Sequence, residues 1–292
     1  MSKEYKTPSS FRKALEDRIK GTSTKKGIAI TVLRKQVSFE RLLARLFSEK
    51  SNPWLLKGGF AMQLRMEMAR ATKDVDLAIR DGKLFSEDEN QQSQAIYEKI
   101  SSLAEQDVND FFTFIVQGPI KDLDAAPYGG ARFHIEARLD GRTFEKFHLD
   151  VGVGDVWIEP IEHLESSDIC EFAGLKPQKF PSIAKKQHFA EKLHAYTLPR
   201  EEGRKNSRVK DLVDMILLID SQTLGKDKLT LAIEETFKRR KTHDLPSVLV
   251  EPPSDWTGPF AEMASELNLK EDVQSSYNKL QEFLKKMEIL KH

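Results

Sequence analysis

The chain has 292 residues, enough for two domains of ordinary size or one large one. Hydrophobic residues at 39% and charged residues at 32% fall in the range of a soluble globular protein, and 46 basic side chains balance 46 acidic ones. That balance excludes a protein that coats nucleic acid by bulk charge, leaving only local basic patches. A single cysteine, Cys170, excludes an intramolecular disulfide framework and a cysteine zinc cluster. The most continuous apolar stretch, Leu212 to Ile219, is interrupted by Asp214 and is too short to span a bilayer. Met1 to Lys6 is polar, with no apolar signal region, so the expected setting is the cytoplasm, with no membrane partner.

In chain order, Ile28, Val32, Leu33, Val37, Phe39, Leu42, Leu43 and Leu46 recur at helical spacing and predict an amphipathic helix or pair of helices. Asn52-Pro53 breaks that pattern. Trp54-Leu55-Leu56 reads as a short buried strand ended by Lys57-Gly58-Gly59, and a helix follows with Ala61, Leu64 and Met68 on one face. After Arg70-Ala71-Thr72-Lys73 the period changes to two. Val75, Leu77 and Ile79 alternate with Asp74, Asp76 and Ala78, as in a half-buried strand. Ser86 to Ala104 reads as a helix, and Phe111–Gln117, Ala131–Leu139 and Thr143–Val153 as strands, the last two joined by an Asp140-Gly141 hairpin turn. Beyond Pro160 the pattern is helical: 183–198, 208–220, 228–240 and 273–291, with a loop-rich interval at Pro246, Pro252, Pro253 and Pro259. The expected architecture is an α/β (α+β) domain over residues 1–160 and a mainly helical domain over 161–292.

The chemistry concentrates in Lys57-Gly58-Gly59 and Asp74-Val75-Asp76. Carboxylates at i and i+2 of a strand share a face, so they can hold one hard cation or bracket two. A Gly-Gly turn opening a helix offers bare backbone amides to phosphate oxygens. Taken singly, a D-x-D is often a solvated strand face and Gly-Gly only a turn; their order and spacing join them. A third carboxylate is expected on another element. Asp150 shares a strand face with His148, opposite Phe147, Leu149 and Val151, and a neighbouring strand would bring it to the same metal; otherwise it is a solvent-facing Asp near a strand end. Thr72 reads as a hydrogen-bonding residue at the strand start. There is no P-loop, no G-x-S-x-G elbow, and the spacing of His188 and His194 is not that of HExxH.

Lys57-Gly58-Gly59-Phe60-Ala61-Met62-Gln63-Leu64 and Thr72-Lys73-Asp74-Val75-Asp76, followed by Ala190-Glu191-Lys192-Leu193-His194-Ala195 and Arg208-Val209-Lys210-Asp211-Leu212-Val213-Asp214, resemble the AbiEii/AbiGii toxin nucleotidyltransferases, MenT toxins included. The resemblance runs in order from 57 to 214. It implies a DNA polymerase β-like nucleotidyltransferase core with a helical C-terminal region. It also implies metal binding by Asp74 and Asp76, with Asp150 at the less regular third acidic position, and essential catalytic-site roles for Lys192 and Asp211. The triphosphate would lie on Gly58 and Gly59, with Lys57 and Thr72 in the same nucleotide-binding set. Phe60 departs from relatives, in which a small or hydroxylated residue is more common, so phosphate contact there is left to the backbone.

From the residues themselves, Lys185, His188 and Lys192 form a basic stripe on one helix that could meet phosphates, and which read alone is a solvated face. Asp211 is expected to be partly buried, with Lys192 or Arg208 as partner; Asp214 could serve a similar role but reads more simply as a helix-surface residue. Lys238-Arg239-Arg240-Lys241 with Arg200, Arg204, Lys205 and Lys210 is either an RNA-binding surface or an ordinary solvated run. The implied activity is a Mg²⁺-dependent transfer, Mn²⁺ being the alternative ion, of a nucleotide from a nucleoside triphosphate to an acceptor hydroxyl. The resemblance points to the 3′ end of tRNA as acceptor and to a cognate antitoxin as partner. Nucleotidylation of a protein hydroxyl, regulatory binding of GTP or another nucleotide without transfer, and an interaction protein whose carboxylates are merely surface groups are the alternatives.

Overall fold

The computed structural model describes residues 5–49, 51–66, 72–80, 89–122, 127–200 and 206–290. Met68, Arg70, Ala71, Ser86, Arg204, Lys205 and Lys291, named above, lie outside them. Chain contacts define two compact units, one of residues 1–154 and 163–182, the other of 155–162 and 183–292. The units therefore interleave, where the sequence suggests a single cut at residue 160.

The first unit opens with two helices, α1 (Pro8–Lys26) and α2 (Ile30–Leu46). Thr7 caps α1 by accepting the Ser10 amide, Pro8 sits in the first turn, and Gly27 closes it at φ +69°. Both helices deliver a stripe to the core, Phe11, Leu15 and Ile19 from α1 and Leu33, Val37, Leu42, Leu43 and Leu46 from α2. Then follow β1 (Trp54–Lys57), α3 (Gly58–Met66), β2 (Asp74–Ile79), α4 (Glu89–Ala104), β3 (Phe112–Asp122), β4 (Gly130–Leu139) and β5 (Arg142–Gly152). Two four-residue strands, β6 (Glu162–Glu165) and β7 (Lys179–Ser182), complete a seven-stranded sheet of order β3-β4-β5-β2-β1-β7-β6.

The sheet is mixed. β3, β4 and β5 form an antiparallel meander, β2 lies parallel to β5 and antiparallel to β1, and β1 is parallel to β7. The hairpin between β4 and β5 turns at Asp140 and Gly141, both at positive φ (+56° and +69°), as a tight primed turn demands. One face carries Val75, Leu77, Phe133, Ile135, Leu149 and Val151 into the core. Each such side chain contributes about 1.5–3 kcal/mol by leaving water. Asp110, fully buried, accepts hydrogen bonds from Arg41 and from both terminal nitrogens of Arg45, which also reaches the Phe112 carbonyl and so anchors the start of β3. Burial alone would raise the Asp110 pKa; the two guanidiniums outweigh it and hold the carboxyl below the usual range.

The second unit is helical: α5 (Lys185–Thr197), α6 (Val209–Asp220), α7 (Lys226–Arg240), α8 (Thr257–Glu266) and α9 (Val273–Lys286). α6 is its centre, packed against α5, α8 and α9. Residues 211–218 of α6 are all buried, as befits a helix apolar on nearly every side. Asp155 accepts from Arg240 at 2.9 Å and ties the 155–162 segment to α7.

Four expectations need correction. The mixed α/β architecture is as expected, but β6 and β7 are too short to display a period, and α8 begins with Thr257-Gly258-Pro259 inside the interval taken for loop. The basic run is not a uniform surface: Arg240 is inside its unit on Asp155, Arg200 donates to the Ala195 carbonyl, and Lys238 is exposed. The stripe on α5 is not a solvated face either, because His188 is completely buried.

Candidate active site

β1 ends at Lys57, and the chain turns through Gly58 at φ +66° into α3. That conformation suits glycine, and a Cβ at Gly58 would run into the Asp76 carboxylate. A Cβ at Gly59 would stand 2.6 Å from the Thr72 hydroxyl. The two glycines thus let a helix N-terminus lie directly against the aspartate strand, with its first amides unobstructed. Thr72 donates to the Asp74 carbonyl at 3.3 Å, the local bond its position suggests. Phe60 is buried edge-on against Phe39, so its side chain serves the core and leaves the turn to its backbone.

Register turns these residues into two rows across the sheet. In one, Lys57, Asp76, Asp150 and Arg132 are successive partners on β1, β2, β5 and β4. In the next, Asp74, His148, His134 and Gln117 are partners on β2, β5, β4 and β3. Paired residues on neighbouring strands point to the same face, so Asp74, Asp76 and Asp150 share one side while Val75, Leu77, Leu149 and Val151 fill the core on the other. Asp150 lies directly opposite Asp76, beside the strand where the sequence placed the first two carboxylates.

Like charges set opposite one another disfavour the pairing unless cations offset them. Here the row is bracketed. Arg132 binds Asp150 through two parallel bonds of 2.7 Å each, a strong and directional arrangement. Its pKa is raised, chiefly by the bond to Asp150 and further by the charges of Asp74 and Asp76. His148 Nδ1 meets Asp74 Oδ1 at 3.1 Å, and the His134 ring lies over His148 with centroids 4.6 Å apart. Among the described residues, no three His, Cys, Asp or Glu side chains already converge as a ligand set. The donors nonetheless suit a hard ion such as Mg²⁺, which takes one or two carboxylates and completes its shell with water and substrate phosphate.

The second unit holds its own cluster. Lys192 Nζ on α5 lies 2.9 Å from Asp211 and 2.9 Å from Asp214 on α6, one helical turn apart. Arg208 Nη1 adds a contact of 3.6 Å to Asp211. Both partners expected for Asp211, Lys192 and Arg208, contact it. Asp214, taken from the sequence for a surface residue, is fully buried, because Lys192 offsets its charge inside the bundle.

Arg132 and His134 escaped the sequence reading. The signal was there: they alternate with Ala131, Phe133 and Ile135, so the period of two that revealed the aspartates would have put them on the same polar face.

A glycine turn that opens a helix beside a strand with two paired aspartates defines the nucleotidyltransferase class. The family model for the nucleotidyl transferase AbiEii toxins of type IV toxin–antitoxin systems matches residues 41–288, and the chain belongs to that family of nucleotidyltransferase toxins. A comparison with curated proteins found no match. Among solved structures, MenT4, a nucleotidyltransferase toxin from Mycobacterium tuberculosis H37Rv, superposes with a TM-score of 0.53 at 16% identity over 95% of this chain and 99% of its own. A structure from Helicobacter pylori described as a nucleotidyltransferase gives 0.50 at 14% identity over 91% and 100%. At these identities the likeness speaks for the fold. Among the described residues, no helix is long and apolar enough to cross a membrane.

Proposed function

We propose that this toxin transfers a nucleoside monophosphate from a nucleoside triphosphate to the 3′ end of tRNA, in a divalent-metal-dependent reaction that blocks translation, and that a cognate antitoxin restrains it. The observation that carries the reading is the register that sets Asp76 opposite Asp150, with Asp74 on the same face and the Gly58-Gly59 turn pressed against Asp76.

An acceptor oxygen forms a bond to the α-phosphorus, the bond to the bridging oxygen of the β-phosphate breaks, pyrophosphate leaves, and the hydroxyl proton passes to water. Asp74, Asp76 and Asp150 would hold Mg²⁺, or Mn²⁺ in its place, which when bound supplies charge for the polyphosphate and acidifies the acceptor hydroxyl. The amides at Gly58 and Gly59 receive phosphate oxygens, and Lys57, at the end of the same row, adds positive charge beside them. Thr72 keeps the carboxylate strand close to the turn. Arg132 orients Asp150 by occupying both its oxygens from the side away from Asp76. On the strength of the shared motifs, Lys192 is assigned to charge stabilisation during transfer and Asp211 to orienting it. Such catalysis is chiefly positioning and electrostatics.

The test is incubation of purified protein with Mg²⁺, total tRNA and each α-³²P nucleoside triphosphate separately, beside an Asp76→Ala control. Label in tRNA that disappears in the control supports the reading and names the nucleotide. Label in protein alone moves the acceptor to a protein hydroxyl. Nucleotide-dependent thermal stabilisation without any transfer would replace the enzyme reading of this chain by a regulatory binding role.

A further inference from the structure

The two polar rows have a direction. Displacement at phosphorus is in line, so the attacking oxygen and the departing pyrophosphate lie on opposite sides of the α-phosphorus. With the triphosphate tail on the β1–α3 turn, the leaving side of the sheet is β1. The attacking hydroxyl must then approach from the β5–β4 side. What the fold presents there is a pair of imidazoles: His148, hydrogen-bonded to Asp74, and His134 packed over it at 4.6 Å with 36° between ring planes. His134 is exposed, and its register partner on β3, Gln117, is exposed as well. Ile115, two residues along β3 on the same face, is 37% exposed.

We propose that His134 and His148 form a stacking platform for the terminal base of a nucleic-acid acceptor, with the Gln117 amide at its edge. This deepens the reading above and rests on it for the identity of the reaction. Flat side chains standing on an open strand face are the means by which single-stranded nucleic acid is gripped without strict sequence choice, since every base has a π-face. A peptide hydroxyl has no use for such a surface. His148 is fixed by Asp74, so a base on His134 is held at a set distance from the carboxylates. The 3′-hydroxyl of that nucleotide is thereby brought to the attacking side.

The variants are His134→Ala, which removes the ring, and His134→Phe, which keeps a flat face. Both sit on an exposed strand surface. Steady-state transfer gives KM for tRNA and for the nucleoside triphosphate separately, and fluorescence anisotropy with a labelled single-stranded RNA, without metal or nucleotide, reads binding alone. His134→Ala should raise the KM for tRNA and weaken RNA binding by roughly tenfold, leave the KM for nucleotide unchanged, and be largely restored in His134→Phe. Intact tRNA KM and RNA affinity in His134→Ala would overturn the platform while leaving transfer standing. A rise in the nucleotide KM instead would also overturn it, by assigning the rings to the incoming nucleotide. Ring-dependent RNA binding by a wild-type protein that labels no RNA would retain the platform and remove the transfer reading.

Discussion

Both units gather aspartates around cationic side chains, yet they do so in opposite environments. On the sheet of the first unit, Asp74, Asp76 and Asp150 share one strand face and are all half-buried, Asp74 the more exposed and Asp150 largely covered. In the second unit, Asp211 and Asp214 are buried among the apolar side chains of α6, with Lys192 between them. Charge repulsion on the strand face is tolerable because Arg132 binds Asp150 and solvent reaches Asp74, and it disposes the face to receive a cation. Inside the bundle the same charges would be ruinous without their partner. The first cluster leaves its carboxylates partly open to solvent, and the second holds its carboxylates in place through Lys192.

The sharpest way to break that contrast is to remove one charge from each. Asp76→Asn should lower nucleotidyl transfer by at least about a hundredfold to a thousandfold, while stability stays equal or rises slightly as one of two opposed charges disappears. Transfer assays and urea melts on the same preparation check both halves; a strongly destabilised Asp76→Asn protein would erase the distinction. Lys192→Met leaves two buried carboxylates without their ammonium and should cost about 3–5 kcal/mol, read as a shifted urea midpoint. Adding Asp211→Asn and Asp214→Asn in the same chain should recover most of that stability without recovering activity.

Acid should act on the second unit through His194. Burial, with the charges of Arg240 and His243, holds its pKa down at about 3, against the opposing pull of Asp155. The rings of His194 and His243 pack 4.6 Å apart, and Thr242 lies 2.9 Å from His194 Nε2. The folded pKa is depressed, so the unfolded chain takes the proton first. The stability is therefore complete above the ordinary histidine value near 6.5 and is lost as pH falls from there toward the folded value of about 3. The loss should be on the order of 2–4 kcal/mol, and His194→Gln should flatten that limb of the melting profile.

A smaller effect tests the seam between turn and strand. Gly58→Ala combines positive φ with a side chain directed at Asp76 and should cost about 1–3 kcal/mol, with transfer falling further than stability; equal losses would mean the turn is only structural. Lys238→Ala, on an exposed side chain, should change stability by less than about 0.5 kcal/mol.

Much of this arrangement could be read from the chain, and its gaps have physical causes. The alternation of Val75, Leu77 and Ile79 with Asp74, Asp76 and Ala78 declares a two-faced strand, and Asp140-Gly141 declares the hairpin that brings β5 back. The need of a buried carboxylate for a partner points from Asp211 to Lys192 or Arg208, and both reach it. Asp214 reads as a surface residue because an aspartate without a visible partner is ordinarily solvated; only the packing of α5 against α6 decides that Lys192 reaches it. β6 and β7 were invisible because four residues cannot display a period.

Local physics, acting over a few residues, was enough for the sequence by itself to determine the paired aspartates, the glycine turn, most of the helices and the β4–β5 hairpin. Tertiary structure decided which strands became neighbours. No spacing along the chain says that β5 docks parallel to β2, and that docking alone sets Asp150 against Asp76, joins His148 to Asp74 and carries Arg132 and His134 to the same face. A parallel pair joins segments distant in sequence, and its register follows from how the buried faces of both strands fit one core.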